Sequence, residues 1–209
     1  MIIEFFGVPG GGKTQLLRQL VATMPDAREA LATTRRGIAR GALLFALQHS
    51  ISFVVWMGEL LTHSNGLLRY KLGLLLRTMA ACSLAEKNND SFATFIDEGF
   101  LQRILTIFDT PLTARHINFI LKMTPLPDQV VVIHGGEFGR FTTASNRHNS
   151  PRVRGGEEKL QAWMKNMRAN AAMVEEVLPQ YTKVVVVNRE QQDAELVVHN
   201  AIISQVSAV

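Results

Sequence analysis

The chain has 209 residues, 47% of them hydrophobic, with 22 Lys and Arg against 18 Asp and Glu. That length and apolar content suit one α/β domain, residues 1–209 with insertions, and argue against two full domains. A lone cysteine, Cys82, excludes a disulfide framework and a thiolate metal site, and the six histidines show no ligand spacing. The net charge of +4 does not spread into a basic footprint. Arg140, Arg147, Arg152 and Arg154 fall in 139–156 with no acid among them; with these four set aside, 18 basic side chains face 18 acidic ones. No nucleic-acid partner is expected.

The chain opens on an apolar run, Ile2 to Val8, that predicts a buried strand, and then reads Gly7-Val8-Pro9-Gly10-Gly11-Gly12-Lys13-Thr14. This is the phosphate-loop pattern G-x-x-x-x-G-K-[ST], in which backbone N–H groups at a helix N-terminus cradle phosphate oxygens. Gly7, Gly10, Gly11 and Gly12 permit close approach of the backbone. Lys13 reaches the outer phosphates, and the Thr14 hydroxyl takes one position on an octahedral Mg²⁺. An amphipathic helix follows, with Leu16, Leu17, Leu20 and Val21 on one side, and stops before Pro25. A nucleoside triphosphate, ATP or GTP, with Mg²⁺ is the expected ligand. No signal peptide precedes the strand, so the expected location is cytoplasmic.

A polar stretch, 28–40, carries Ala32-Thr33-Thr34-Arg35-Arg36-Gly37. Two apolar segments follow, 41–61 and 67–85, separated at His63-Ser64-Asn65-Gly66, and predict two helices joined by a turn within a helical insertion at about 38–86. The first has the length of a membrane span. Gln48, His49 and Glu59 within it, and Arg69, Lys71 and Arg77 in the second, oppose insertion into lipid. The pair reads as core, as a homodimer interface through 41–85, or as a cap over a second ligand lined by Phe45, Phe53, Trp56 and Tyr70.

Phe92 to Ile96 is an apolar strand delivering Asp97-Glu98-Gly99 at its C-terminal end, where an acid can hold Mg²⁺ opposite Thr14. Helices are expected over 101–108 and 113–123, and a buried strand over 129–133 ending in His134. The arginine-rich segment, about 137–156, comes next. A helix then opens at Glu157 and keeps an apolar stripe through Trp163, Met164, Met167, Ala171 and Val174 to Pro179. A strand at 184–187 and a closing helix at 193–206, with Leu196, Val197 and Ile203 inward, complete the chain. The alternation predicts an α/β fold, a parallel five-stranded sheet with helices on both faces, its fifth strand near 28–34.

In this order the parts resemble the P-loop small-molecule kinases, especially the thymidylate kinase-like branch of nucleotide kinases. The resemblance rests on Gly7 to Thr14, Thr33 to Gly37, Asp97 and the 139–156 arginines. It implies phosphoryl transfer to a small acceptor (nucleotide, nucleoside or sugar-like). Arg35 or Arg36 would hold the acceptor, and Arg140, Arg147, Arg152 and Arg154 would form a closing lid. Asn188 and Arg189 would border the adenine, although Asn188 with Gln191 also fits a helix cap. Two departures stand. Glu98 follows Asp97 where that branch places an arginine, with Arg103 as a substitute one turn on. The loop's spelling is also similar to that of AAA-type ATPases and viral helicases, so Glu98 as a water-orienting acid leaves a hydrolase or switch acting with a protein partner as the rival. Asp97 or Glu98 could equally accept an acceptor proton.

Overall fold

The computed structural model describes residues 1–24, 26–32, 34–63, 67–88, 92–134, 156–188 and 194–206. Five strands, β1 (Ile2–Phe6), β2 (Ala27–Glu29), β3 (Ala93–Ile96), β4 (Gln129–His134) and β5 (Lys183–Asn188), form one sheet in the order β2-β3-β1-β4-β5. All four pairings are parallel. The expected parallel five-stranded sheet is therefore present, with its edge strand at 27–29.

Side chains alternate across the pleat, so each central strand feeds two cores. Ile3, Phe5, Val131 and Ile133 pack with Leu16, Leu17 and Leu20 of α1 (Lys13–Thr23) and with Val198 and Ile202 of α8 (Ala194–Val206). Phe6, Val130 and Val132 face the larger core on the other side, with α4 (Leu68–Lys87), α5 (Phe100–Ile107), α6 (Ala114–Lys122) and α7 (Glu157–Val177). Met164, Met167, Ala171 and Val174 of α7 are buried, so its apolar stripe is core as expected. The closing helix is rotated from the expected register: Leu196, Val197 and Ile203 are exposed, and Val198 and Ile202 point inward. With apolar residues at six of positions 196–203, more than one face of that helix could have been buried.

Between β2 and β3 the expected two helices are three. α2 (Arg35–Gln48) and α3 (Ser50–His63) are bent by 115° at His49, so the 41–61 segment is not one helix. The His49 ring reaches Glu86 Oε1 of α4 at 2.8 Å, holding the corner. α2 crosses α4 where Gly41 meets Ala80; a Cβ on Gly41 would lie 2.7 Å from that of Ala80, and Ser83 Oγ donates to the Gly41 carbonyl at 3.0 Å. Among the described residues no single helix is long and apolar enough to cross a membrane; only the bent α2–α3 pair passes on length and composition. These helices leave Leu43, Leu47, Ile51, Val54 and Leu61 exposed.

Two of the four residues proposed for an aromatic cap belong to the core. Phe45 and Trp56 are fully buried and pack on Phe100 with ring centroids 5.2 and 5.1 Å apart. Trp56 Nε1 donates to Thr124 Oγ1 at 2.9 Å, which satisfies its polar edge inside that core.

Candidate active site

The phosphate loop leaves β1 at Gly7, whose φ of +144° is a conformation that L side chains rarely adopt. A Cβ there would come within 2.6 Å of the Ile133 carbonyl oxygen on β4. Gly10 and Gly12 also take positive φ, 89° and 82°, turning the chain into α1. Gly11 N–H donates to the Val8 carbonyl at 3.3 Å, closing the turn. The glycines of the motif thus answer to backbone shape and to the crowding of β1 against β4.

Lys13 opens α1 and is only 8% exposed. Its ammonium donates to the Gly7 carbonyl at 2.7 Å and the Val8 carbonyl at 3.1 Å, bridging the loop. Burial lowers its pKa to about 8, against the opposing pull of the Asp97 and Glu98 carboxylates. Beside it, Thr14 Oγ1 donates to Asp97 Oδ2 at 2.7 Å. Asp97 follows β3, which pairs with β1 (Glu4 opposite Ile96), so the two motifs meet across neighbouring strands. Asp97 Oδ1 is buried without a hydrogen-bond partner. A hydroxyl and an orphaned carboxylate oxygen, both hard donors, fit the Mg²⁺ that such a loop employs.

Asp97 also borders a second space. A cleft of about 370 Å³ lies at the C-terminal ends of β2 and β3, lined by Glu29, Ile38, Arg77, Thr78, Asp97, Glu98 and Arg103 among others. Glu29 is the last residue of β2 and is half-buried; burial, and then the Asp97 charge, raise its pKa. Arg103 on α5 is 2% exposed and donates to Glu98 Oε2 at 2.5 Å, while its Nε and Nη1 have no hydrogen-bond partner. It is therefore a buried cleft residue, not a surface arginine. Thr78 Oγ1 fixes the same corner by donating to the Glu98 carbonyl at 2.9 Å.

Beneath the cleft wall, Glu4 of β1 accepts from the Gln102 N–H at 3.2 Å in the first turn of α5. Burial pushes this carboxyl up to about 8 against the Gln102, Leu101 and Phe100 amides and the Arg103 charge. The space that admits it exists because residue 99 is glycine: a Cβ there would fall 2.2 Å from the Glu4 carboxyl carbon.

Other expected site residues fare differently. Arg35 and Arg36 are exposed at the start of α2 and do not line the cleft; Thr34 caps that helix, accepting from Gly37 N at 3.1 Å, and sends Ile38 toward the space instead. Phe53 and Tyr70 do not line it either. The cap is formed by α4 through Leu74, Arg77, Thr78 and Ala81. His134 is exposed and bonded to Glu175 Oε2 at 2.7 Å. Asn188 ends β5 and is exposed, whereas Arg140, Arg147, Arg152, Arg154, Arg189 and Gln191 lie outside the described residues. Glu29 and Arg77 escaped the sequence reading. The signal for Glu29 was an acid at the end of a strand near the phosphate loop, but β2 is only three residues long.

No family model matches the sequence, and no curated protein matches it. Solved structures do. The chain superimposes on a deoxyadenosine kinase from M. mycoides with products dCMP and a flexible dCDP bound, with a TM-score of 0.51 at 12% identity over 100% of both chains. The fold is that of a P-loop kinase. The same M. mycoides enzyme with dCTP gives a TM-score of 0.47 at 13% identity over 100% of both chains. The YorR protein of Bacillus subtilis, in complex with phosphorylated GDP, gives 0.45 at 14% identity over 100% of this chain and 98% of that one. On this fold, the loop, Asp97 and the cleft all sit at the sheet's C-terminal edge, beside the neighbouring strands β1 and β3, whose onward connections run in opposite directions, to β2 and to β4.

Proposed function

We propose that this chain transfers the γ-phosphoryl group of ATP or GTP, with Mg²⁺, to the hydroxyl of a nucleoside or a similarly sized acceptor. One observation carries the reading: Asp97 is shared between the phosphate loop, through Thr14, and a separate cleft of about 370 Å³. A hydrolase needs room only for water, whereas this volume is within the usual range for a small-molecule site. The kinship in fold with a deoxyadenosine kinase supports a nucleoside among the possible acceptors.

In this reading Lys13 leaves the Gly7 and Val8 carbonyls for the outer phosphates, and the loop N–H groups orient the chain of phosphates. Thr14 and Asp97 hold Mg²⁺, which neutralises phosphate charge when bound. Glu29 takes the acceptor's hydroxyl proton: burial raises its pKa, while Asp97 is engaged by Thr14 and Glu98 by Arg103. Arg103 and Arg77 donate to the acceptor's oxygens. The hydrolase reading retains one support, the side chain of Glu98, more than half exposed at the cleft.

The test is ATP turnover with Mg²⁺, alone and with a panel of nucleosides, nucleotides and sugars, with products identified by mass spectrometry. ADP formed together with a phosphorylated acceptor is the expected result. Turnover that is indifferent to every acceptor and is abolished by Glu98→Gln would replace the kinase by a hydrolase.

A further inference from the structure

Outside this cleft, three side chains that the histidine spacing did not connect converge on one point. Glu59 and His63 lie one turn apart on α3, and His116 comes from the first turn of α6. One ligand atom from each falls within 4.8 Å of the other two. His63 Nε2 is 3.3 Å from Glu59 Oε2, and His116 Nε2 is 2.9 Å from Glu59 Oε1. We propose that Glu59, His63 and His116 form a transition-metal site, occupied by Zn²⁺, that fastens α3 to α6.

The chemistry and the spacing both support this. Two imidazoles and a carboxylate are a donor set that zinc accepts, with water in the fourth position. Ligand atoms about 2.0–2.1 Å from a tetrahedral zinc stand about 3.3–3.4 Å apart, close to the His63–Glu59 separation. Glu59 Oε2 is buried and accepts no hydrogen bond. The rings are held for the purpose: Phe108, itself fully buried, packs on His63 at 5.0 Å and edge-on to His116 at 5.6 Å. Both histidines keep about a third of their side-chain surface exposed, 33% and 27%, which leaves a path for the ion and its water. Zinc binding needs each Nε2 unprotonated, so each neutral ring carries its proton on Nδ1.

The experiment uses the full chain stripped with EDTA. Titration with ZnCl₂ in a calorimeter should give one equivalent bound, with a rise in Tm of about 5–10 °C at a hundredfold excess over Kd. His63→Ala and His116→Ala should each weaken binding by more than the roughly 10–100-fold that changes outside a ligand shell cause. Circular dichroism establishes that each variant is folded. Independently of the variants, Co²⁺ bound to the unaltered chain should show the intense visible bands of a four-coordinate site without thiolate charge transfer. Weak octahedral bands, an absence of stoichiometric binding, or binding unchanged in both histidine variants would overturn the site and leave a hydrogen-bonded Glu–His pair of contacts in its place.

Discussion

Lys13 should make nucleotide affinity depend on pH in a direction that few surface lysines could produce. In the free chain its buried ammonium titrates near 8, below the ordinary 10.5. A bound triphosphate supplies countercharge and returns it toward the ordinary value. If only the charged form binds, ATP affinity is level below pH 8 and falls above it. From pH 7 to pH 9 the loss is about tenfold, or about 1.4 kcal/mol, and binding takes up about 0.9 proton at pH 9 against about 0.1 at pH 7. Titration calorimetry of Mg-ATP in two buffers of different ionisation enthalpy measures both quantities. Lys13→Met serves as the reference, since it shares ATP's own titration but lacks the ammonium; it should bind weakly and without this slope. Equal slopes in the two proteins, or unaltered affinity at pH 9, would refute the role assigned to Lys13.

Three further outcomes are expected. Glu29→Gln should lower kcat by about 10²–10⁴ with little change in KM for ATP, the range of a lost general base, in the coupled assay that identifies the acceptor; full activity would remove Glu29 from the chemistry. Glu4, raised from 4.5 to about 8, contributes stability that is complete below pH 4.5 and is lost as pH rises through 8. Urea unfolding at pH 5 and pH 8 should therefore show a decline, at most about 3.5 kcal/mol, that Glu4→Gln flattens, and a variant with the original slope would contradict it. The exposed leucines of α2 and isoleucine of α3 predict pairing with a second copy, so Leu47→Glu with Ile51→Glu should lower the mass seen by light scattering; a chain monomeric from the outset excludes that interface.

Much of the sheet could be read in the sequence because its strands are continuous apolar runs and the phosphate loop has fixed chemistry. Asp97 was legible for the same reason: it is the first acid after a buried strand. Glu29 was not, because three residues of mixed burial give no period to recognise. The corner at His49 was hidden by apolar residues on both sides of it and is held by Glu86, far along the chain. The outward arginines of α2 were chosen by resemblance, while the cleft takes its arginines from α4 and α5. The Glu59–His63 pair has helical spacing, but its third member belongs to another helix and only the fold brings it near.

The contact between Glu4 and the first turn of α5 joins one wall of the cleft to the strand that leads into the phosphate loop. The strand that bears the phosphate loop and the helix that bears Arg103 are joined by a buried carboxyl, with no space for a side chain at Gly99 to part them. The phosphate loop and Arg103 are thereby tied to each other on that side, as two jaws cut from one block are. Across the cleft, among the described residues, α2 and α4 are set against each other without room for a side chain where Gly41 meets Ala80, so the two helices form one wall as β1 and α5 form the other.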